Sequence, residues 1–144
     1  MEFPRNNRKL KEIFTNSRTP ELSELNGEYS VDMLTLIPSL KRLEHRKVFY
    51  PEDAGVTGHN ILLNIKWGRF FLERGTCKDL GHLGVVVINY DRPRNLCITK
   101  KVRDHLRCVE NGELYLGRFN VLLLDKLYFL GYFSLRKVNV NILR

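Results

Sequence analysis

The feature that most constrains this chain is a series of short β-type segments whose connections are too short to hold a helix. The plainest segment is Leu83–Tyr90, in which apolar residues occupy both faces of the expected strand. Asn111-Gly112 is typical of a two-residue hairpin turn, and Asp125-Lys126 predicts another tight turn. Parallel neighbours need crossover connections of about a dozen residues or more. Consecutive strands are therefore expected to run antiparallel.

The pattern predicts about eight strands, and the last two form a long hairpin rich in aromatic residues. We expect an up-and-down barrel, mainly β, and the alternative is a strongly bent sheet packed against an N-terminal helix. A turn is predicted at Arg74-Gly75, and Leu36–Leu43 is interpreted as a short helix over the barrel mouth. The predicted strand segments are Glu28–Thr35, Arg46–Tyr50, His59–Lys66, Gly68–Glu73, Leu83–Tyr90, Cys97–Val109 (one strand or two), Glu113–Leu124 and Leu127–Val138.

Helical periodicity is confined to the start of the chain. Asn6–Asn16 predicts an amphipathic helix, and Pro20–Leu25 predicts one or two further helical turns. The apolar face of the first helix would consist of Leu10, Ile13 and Phe14. We therefore divide the chain into an N-terminal helical extension, residues 1–25, and a β-barrel domain, residues 26–144.

Composition and charge limit the class of protein and its partners. The 144 residues are 43% hydrophobic and 28% charged, which is typical of one globular domain. The net charge of +8 favours an anionic partner such as a nucleic acid, an anionic membrane surface or an anionic ligand. Basic residues are spread along the whole chain, however, so a solvated basic surface is an equally good interpretation.

Compartment is inferred from what the sequence lacks. No apolar run approaches the ~20 residues of a membrane-spanning helix, and Met1–Arg5 has no apolar signal core. We expect a cytoplasmic protein. The cysteines, Cys77, Cys97 and Cys108, are odd in number and form no CxxC pair, which predicts reduced thiols that fill small apolar positions.

Several short motifs occur in the order found in one known family. They are Leu25-Asn26-Gly27-Glu28-Tyr29, Trp67-Gly68-Arg69-Phe70, Asn89-Tyr90-Asp91, Val102-Arg103-Asp104-His105-Leu106-Arg107, Tyr115-Leu116-Gly117-Arg118 and Tyr132-Phe133-Ser134-Leu135. With these motifs the chain resembles the bacterial GXWXG/DUF4334 group of calycin-like (lipocalin-like) proteins over residues 20–138. It departs from the family pattern where Tyr29 replaces a tryptophan and Val31 a glycine, and where Lys101-Val102 replaces Pro-Ile. The resemblance implies a calycin-like barrel with an interior for an apolar or amphipathic ligand.

No motif in the sequence indicates catalysis or a metal. The four histidines, His45, His59, His82 and His105, form neither HxH nor HExxH, and no cysteine lies at ligand spacing beside them. No serine lies in a GxSxG motif, and the glycines form no phosphate-binding loop. We therefore predict no catalytic residue, no metal and no cofactor, and a protein that is not an enzyme.

The predicted function is the binding of an apolar or amphipathic anionic small molecule, such as a fatty acid or lipid. Arg107 is the expected polar anchor, and the alternative is a structural arginine that binds backbone carbonyls. On a strand, Asp104 would face away from Arg107 and pair with a basic neighbour. The predicted ligand-binding residues are Tyr29, Met33, Trp67, Arg107, Phe119, Phe129 and Phe133, within an interior that also includes Val31, Ile61, Leu63, Val85 and Val87.

Two of these interpretations have competitors. For Trp67 the favoured interpretation is a core position, with its indole N–H hydrogen-bonded at the barrel end, and a place in the floor of a ligand pocket is the alternative. The final aromatic residues are better explained as part of the core, and the alternative is that they stack nucleic-acid bases on a basic sheet. The alternative function is therefore a basic module that binds nucleic acid or an anionic surface.

Overall fold

The chain folds into a closed antiparallel β-barrel of eight strands in sequential order. The computed structural model describes residues 1–35 and 44–139. Each strand pairs with the next along the chain, and β1 pairs with β8 to close the barrel. The mainly β, up-and-down barrel with a short N-terminal helix is thus confirmed. The elements are α1 (Asn7–Asn16), β1 (Gly27–Met33), β2 (His45–Glu52), β3 (Gly55–Leu62), β4 (Ile65–Cys77), β5 (Leu83–Asn89), β6 (Arg103–Glu110), β7 (Leu114–Leu123) and β8 (Lys126–Lys137).

The two faces of the barrel wall carry separate apolar clusters, because side chains alternate along each strand. The inward-facing cluster fills the half of the barrel near the β2–β3 and β6–β7 turns. That half is the closed end. The inward cluster comprises Leu25, Tyr29, Phe49, Val56, Phe70, Leu72, Val86, Ile88, Tyr90, Leu106, Cys108, Tyr115, Phe133 and Leu135.

The N-terminal segment covers the outer wall and the closed end. Helix α1 begins after Asn6, whose side chain accepts a hydrogen bond from the Lys9 amide at 3.1 Å. Leu10 and Phe14 are fully buried in an outer cluster against Val85 and Leu116. A 3₁₀ turn at Leu22–Glu24 then leads to the fully buried Leu25, which joins the inward cluster. The open end lies opposite, where the β3–β4 and β7–β8 turns and the β5–β6 connection meet.

Three local predictions are wrong, and each has a physical reason. His59–Lys66 is not one strand, because Leu63 and Asn64 form the turn between β3 and β4. The turn was not predicted, because an apolar residue such as Leu63 is typical of a strand. Arg74-Gly75 lies inside the long strand β4, where Gly75 makes room for the Val87 side chain. Strand β6 begins only at Arg103, since the preceding segment forms a loop with a 3₁₀ turn. Leu36–Leu43, predicted as a helix, lies outside the described residues.

Helices contribute little to the described structure. Within residues 1–35 and 44–139, none of them combines the length and the apolar content that crossing a bilayer requires.

Candidate ligand-binding cavity

The open half of the barrel contains a cavity of about 520 Å³. Its walls are mostly apolar, and they come from strands on all sides of the barrel. This volume is within the range of ~300–1,000 Å³ found for small-molecule sites. The lining residues are Val31, Met33, His45, Lys47, Leu62, Trp67, Tyr90, Ile98, Thr99, Val102, Asp104, Phe119, Leu130 and Phe133.

A buried lysine forms the polar part of the cavity wall. Lys47 is inward-facing on β2, and its Nζ donates hydrogen bonds to Asn60 Oδ1 at 2.6 Å and to the Tyr90 hydroxyl at 2.5 Å. The same ammonium lies 5.6 Å from the centre of the Phe133 ring. Burial lowers the pKa of Lys47, and the nearby carboxylate of Asp104 opposes that effect. The ammonium is therefore fixed in place by polar and aromatic groups.

Asp104 lies across the interior on β6, and its carboxylate is only partly satisfied. Its Oδ2 lies 3.9 Å from Lys47 Nζ, whereas its Oδ1 is buried with no hydrogen-bond partner among the described residues. Burial raises the pKa of Asp104 to about 7, although Lys47 and the Asn120 amide favour the ionised form. Buried polar atoms normally have partners, so the Oδ1, itself fully buried, is an unsatisfied acceptor within the cavity wall.

His45 and Trp67 border the cavity near its mouth. His45 Nε2 lies 3.0 Å from Asn60 Oδ1, and its ring is 6.0 Å from the ring of Trp67, centre to centre. Burial, together with the Lys47 charge, lowers the pKa of His45 to about 4, so the ring is neutral at pH 7. Trp67 is 40% exposed and is therefore not a core residue. It forms the rim between the cavity and the outer surface.

Most of the sequence-predicted ligand residues lie in the interior. Met33, Trp67, Phe119 and Phe133 line the cavity. Tyr29 is also inward-facing, but it lies in the filled half, where its hydroxyl donates to the Gly112 carbonyl oxygen at 3.0 Å. Tyr29 thus belongs to the floor beneath the cavity.

Arg107 and Phe129 lie outside the barrel, so neither reaches the cavity. The Arg107 guanidinium donates to the carbonyl oxygens of Phe14 at 3.0 Å, Gly84 at 2.5 Å and Ser17. Arg107 is therefore a structural arginine, which was the alternative interpretation, and it holds the end of α1 against the outer face of the barrel. Phe129 packs in the outer cluster, 3.9 Å beneath the Arg118 guanidinium.

The outer position of Arg107 follows from the alternation on β6. Arg103, His105 and Arg107 share the outward face, so Asp104 of the same strand is the residue that points inward. The pairing of Asp104 with a basic residue agrees with the sequence interpretation, and its partner is Lys47. Val85 and Val87 likewise face outward, under α1, while Leu63 is exposed in a turn.

Sequence reasoning missed Lys47, Asn60, Tyr90 and His45 as members of the site. The only available signal was that Lys47 alternates with the inward-facing Phe49. In a chain with 24 basic residues, one more lysine in an extended segment does not indicate burial. Only the register between β2 and β3, which pairs Lys47 with Asn60, brings these side chains together.

A basic groove of about 450 Å³ lies on the outer surface beside Trp67. Because Trp67 lines both spaces, the groove borders the mouth of the cavity. Its other lining residues are Tyr50, Thr57, Gly58, His59, Lys66, Gly68, Arg69, Phe70, Arg92, Arg94 and Asn95.

Metal ligands and thiols are the remaining groups that could carry chemistry. Across the described part of the chain, no three His, Cys, Asp or Glu residues cluster as metal ligands. Cys77, Cys97 and Cys108 are free thiols. Cys77 and Cys108 are buried as expected, but Cys97 is exposed on the β5–β6 connection, so its predicted apolar position is wrong. Comparison with protein-family models, curated proteins and solved structures gives no match for this chain.

Proposed function

We propose that this protein binds an apolar or amphipathic small molecule, such as a fatty acid or lipid, inside its barrel. The observation that carries the proposal is the cavity of about 520 Å³ with a single polar corner, formed by Lys47 and Asp104. An apolar chain would lie against Met33 and Phe119, and the polar end of the ligand would reach the corner. Arg107 takes no part in this arrangement.

The corner also sets how the charge of the ligand affects binding. Lys47 and Asp104 together are neutral, so a carboxylate entering the cavity adds a second anion beside one ammonium. Burial already raises the pKa of Asp104, and a second anion raises it further. An anionic ligand should therefore bind with proton uptake, about half a proton at pH 7 and approaching one at higher pH. An alcohol needs no proton, because its neutral hydroxyl adds no charge to the corner.

The proposal is tested with a fluorescent fatty acid and a panel of unlabelled competitors. The panel contains a fatty acid, the alcohol and the methyl ester of the same chain length. We expect displacement by the acid and the alcohol, with weaker displacement by the ester, which has no hydrogen to donate. Calorimetry in buffers of different protonation enthalpy then measures the proton uptake that accompanies binding of the acid.

A matched pair of variants assigns any binding to the cavity. Val31→Phe puts additional volume into the cavity from β1, whereas Val48→Phe makes the same change on the outer face of β2. We expect Val31→Phe to weaken binding of the fluorescent acid at least about tenfold, with Val48→Phe close to the unchanged protein. If no member of the panel binds, or if both variants behave alike, the proposal fails.

A further inference from the structure

The two hairpin turns at the open end contain leucines in a backbone conformation that leucine disfavours. Leu63 has φ 51° and Leu124 has φ 50°, and each begins a two-residue turn that continues with Asn64 or Asp125. Such turns favour Asn, Asp or Gly, because other L-residues are strained at positive φ. If only the stability of the fold mattered, Asn, Asp or Gly would be favoured over leucine at both positions.

These leucines also point into solvent. Leu124 is 100% exposed and Leu63 is 56% exposed. Neither belongs to the buried core, and both occur at the same end of the barrel. The corresponding hairpin turns of the closed end, Asp53-Ala54 and Asn111-Gly112, contain no large apolar residue.

Exposed apolar side chains are concentrated at the open end as a whole. Of the twelve large hydrophobic side chains that are exposed among the described residues, ten belong to its turns, the β5–β6 connection or the adjoining strand ends. Exposed apolar side chains that concentrate at one end of a protein are a feature of binding faces. We call it the mouth collar: Leu63, Ile65, Trp67, Leu96, Ile98, Leu123, Leu124, Leu127, Tyr128 and Leu130.

The charge around the mouth collar identifies what it binds. Basic residues outnumber acidic ones in the same segments and line the groove beside Trp67. The basic residues are Lys66, Arg69, Arg92, Arg94, Lys100, Lys101, Arg103 and Lys126, and the acidic ones are Asp91, Asp125 and Glu44, the last beside Leu63. Exposed apolar side chains surrounded by basic ones are complementary to an anionic bilayer. The anionic headgroups attract the basic side chains, and the apolar side chains insert at the boundary between headgroups and acyl chains.

We propose that the barrel docks mouth-down on an anionic lipid bilayer, with Leu63 and Leu124 inserted at the tips of their turns. In this orientation the cavity opens toward the membrane. Lipid would then pass between the bilayer and the cavity without crossing water. The docking itself does not require that the cavity hold a ligand, and the two proposals are tested separately.

The test is co-sedimentation of the full chain with vesicles, comparing phosphatidylcholine alone with a mixture containing about one third phosphatidylserine. The informative variant is the double change Leu63→Asn and Leu124→Asn. Asparagine suits positive φ, so the free energy of unfolding should be unchanged or higher. Binding to the anionic vesicles should fall at least about tenfold, because the apolar insertion is lost.

Further variants separate the two sources of attraction. Lys66→Gln with Arg94→Gln should weaken binding to the anionic vesicles and reduce its dependence on salt. Ala54→Asn changes an exposed turn of the closed end and should leave vesicle binding as it is. If it weakens binding as much as the leucine changes do, the docking face is not the mouth collar.

Three outcomes would overturn the proposal. The first is that the unchanged protein fails to bind anionic vesicles. In the second, the protein binds mixed-sequence oligonucleotides instead and the Leu63 and Leu124 changes have no effect, which would assign the basic groove to nucleic acid. In the third, the chain is a dimer that these changes convert to a monomer, which would assign the mouth collar to a second copy.

Discussion

Lys47 Nζ and Asp104 Oδ2 lie 3.9 Å apart inside the barrel, too far for a hydrogen bond and close enough for strong mutual attraction. The lysine is held by Asn60 and Tyr90 on its other side, whereas the second oxygen of the carboxylate has no partner within the described part of the chain. The pair therefore compensates two buried charges without satisfying them fully. A buried pair of this kind is weak evidence for stability and better evidence for a site that a ligand completes.

The first prediction concerns the energetic coupling of this pair. Lys47→Met and Asp104→Leu should each lower the free energy of unfolding by about 3–5 kcal/mol, since each leaves one buried charge uncompensated. The double variant should be more stable than either single variant, because both charges are gone. Urea unfolding of the four proteins measures the coupling. If the two losses simply add, the charges do not interact and the polar corner is not a unit.

Trp67 provides the second prediction, because it is the only tryptophan of the chain and lies at the rim of the cavity. A ligand in the cavity covers part of its exposed ring, so the emission should shift to shorter wavelength when a fatty acid binds. Titration with the unlabelled acid measures this shift. Val31→Phe should reduce the response at a given concentration of acid. An unchanged spectrum at concentrations that displace the fluorescent acid would place that acid elsewhere.

The fold was predictable because hydrophobic alternation and short connections are local signals. They indicated an antiparallel barrel and placed Met33 and Phe133 inside it. The polar corner was not predictable in the same way. Lys47 and Asp104 lie 57 positions apart on opposite walls, and only the closure of the barrel makes them neighbours.

Arg107 shows a second reason why the site was harder to predict than the fold. The alternation of side chains along β6 places Arg107 and Asp104 on opposite faces of the strand. When both faces contain apolar residues, however, the pattern does not indicate which face points inward. Helix α1 buries the outer face of β6 as thoroughly as the interior buries the other. An arginine in this strand could therefore be buried under α1 as well as in the interior, so the sequence did not show whether Arg107 reaches the cavity. Leu63 shows the converse, because an apolar residue in a turn was interpreted as part of a strand.

The third prediction is that Arg107 supports the fold and not the ligand. Arg107→Met removes donors from the carbonyl oxygens of Phe14, Ser17 and Gly84, and should cost at least about 2 kcal/mol of stability. Arg74→Met is a matched control, since Arg74 forms an exposed ion pair with Glu21 and should cost less than about 1 kcal/mol. Hydrogen exchange of α1 should increase in Arg107→Met alone.

Ligand binding distinguishes this role from an anchoring one. At a temperature where Arg107→Met is folded, the affinity for the fluorescent fatty acid should match that of the unchanged protein. A large loss of affinity for the fatty acid with little loss of stability would show that Arg107 contributes to ligand binding and contradict this prediction.

The last prediction is a pH dependence that comes from His105, which is buried on the outer face of β6 near Arg118. Burial, and then the Arg118 charge, lower the pKa of His105 to about 4. The folded protein therefore keeps this ring neutral, while the unfolded chain binds a proton below the ordinary value of about 6.5. Between these two values the unfolded state holds more protons, so stability falls as the pH falls. The loss due to His105 should reach about 2 kcal/mol at pH 5.

His105→Gln removes that contribution and leaves the others in place. The raised pKa of Asp104 acts in the opposite direction over the same range, and the lowered pKa of His45 acts in the same direction. Both effects are common to the two proteins, so the difference between them isolates His105. Urea unfolding at pH 7.5 and pH 5 should show the smaller loss of stability in His105→Gln. Equal losses in the two proteins would mean that the ring is protonated in the folded state, contrary to its buried position beside a guanidinium.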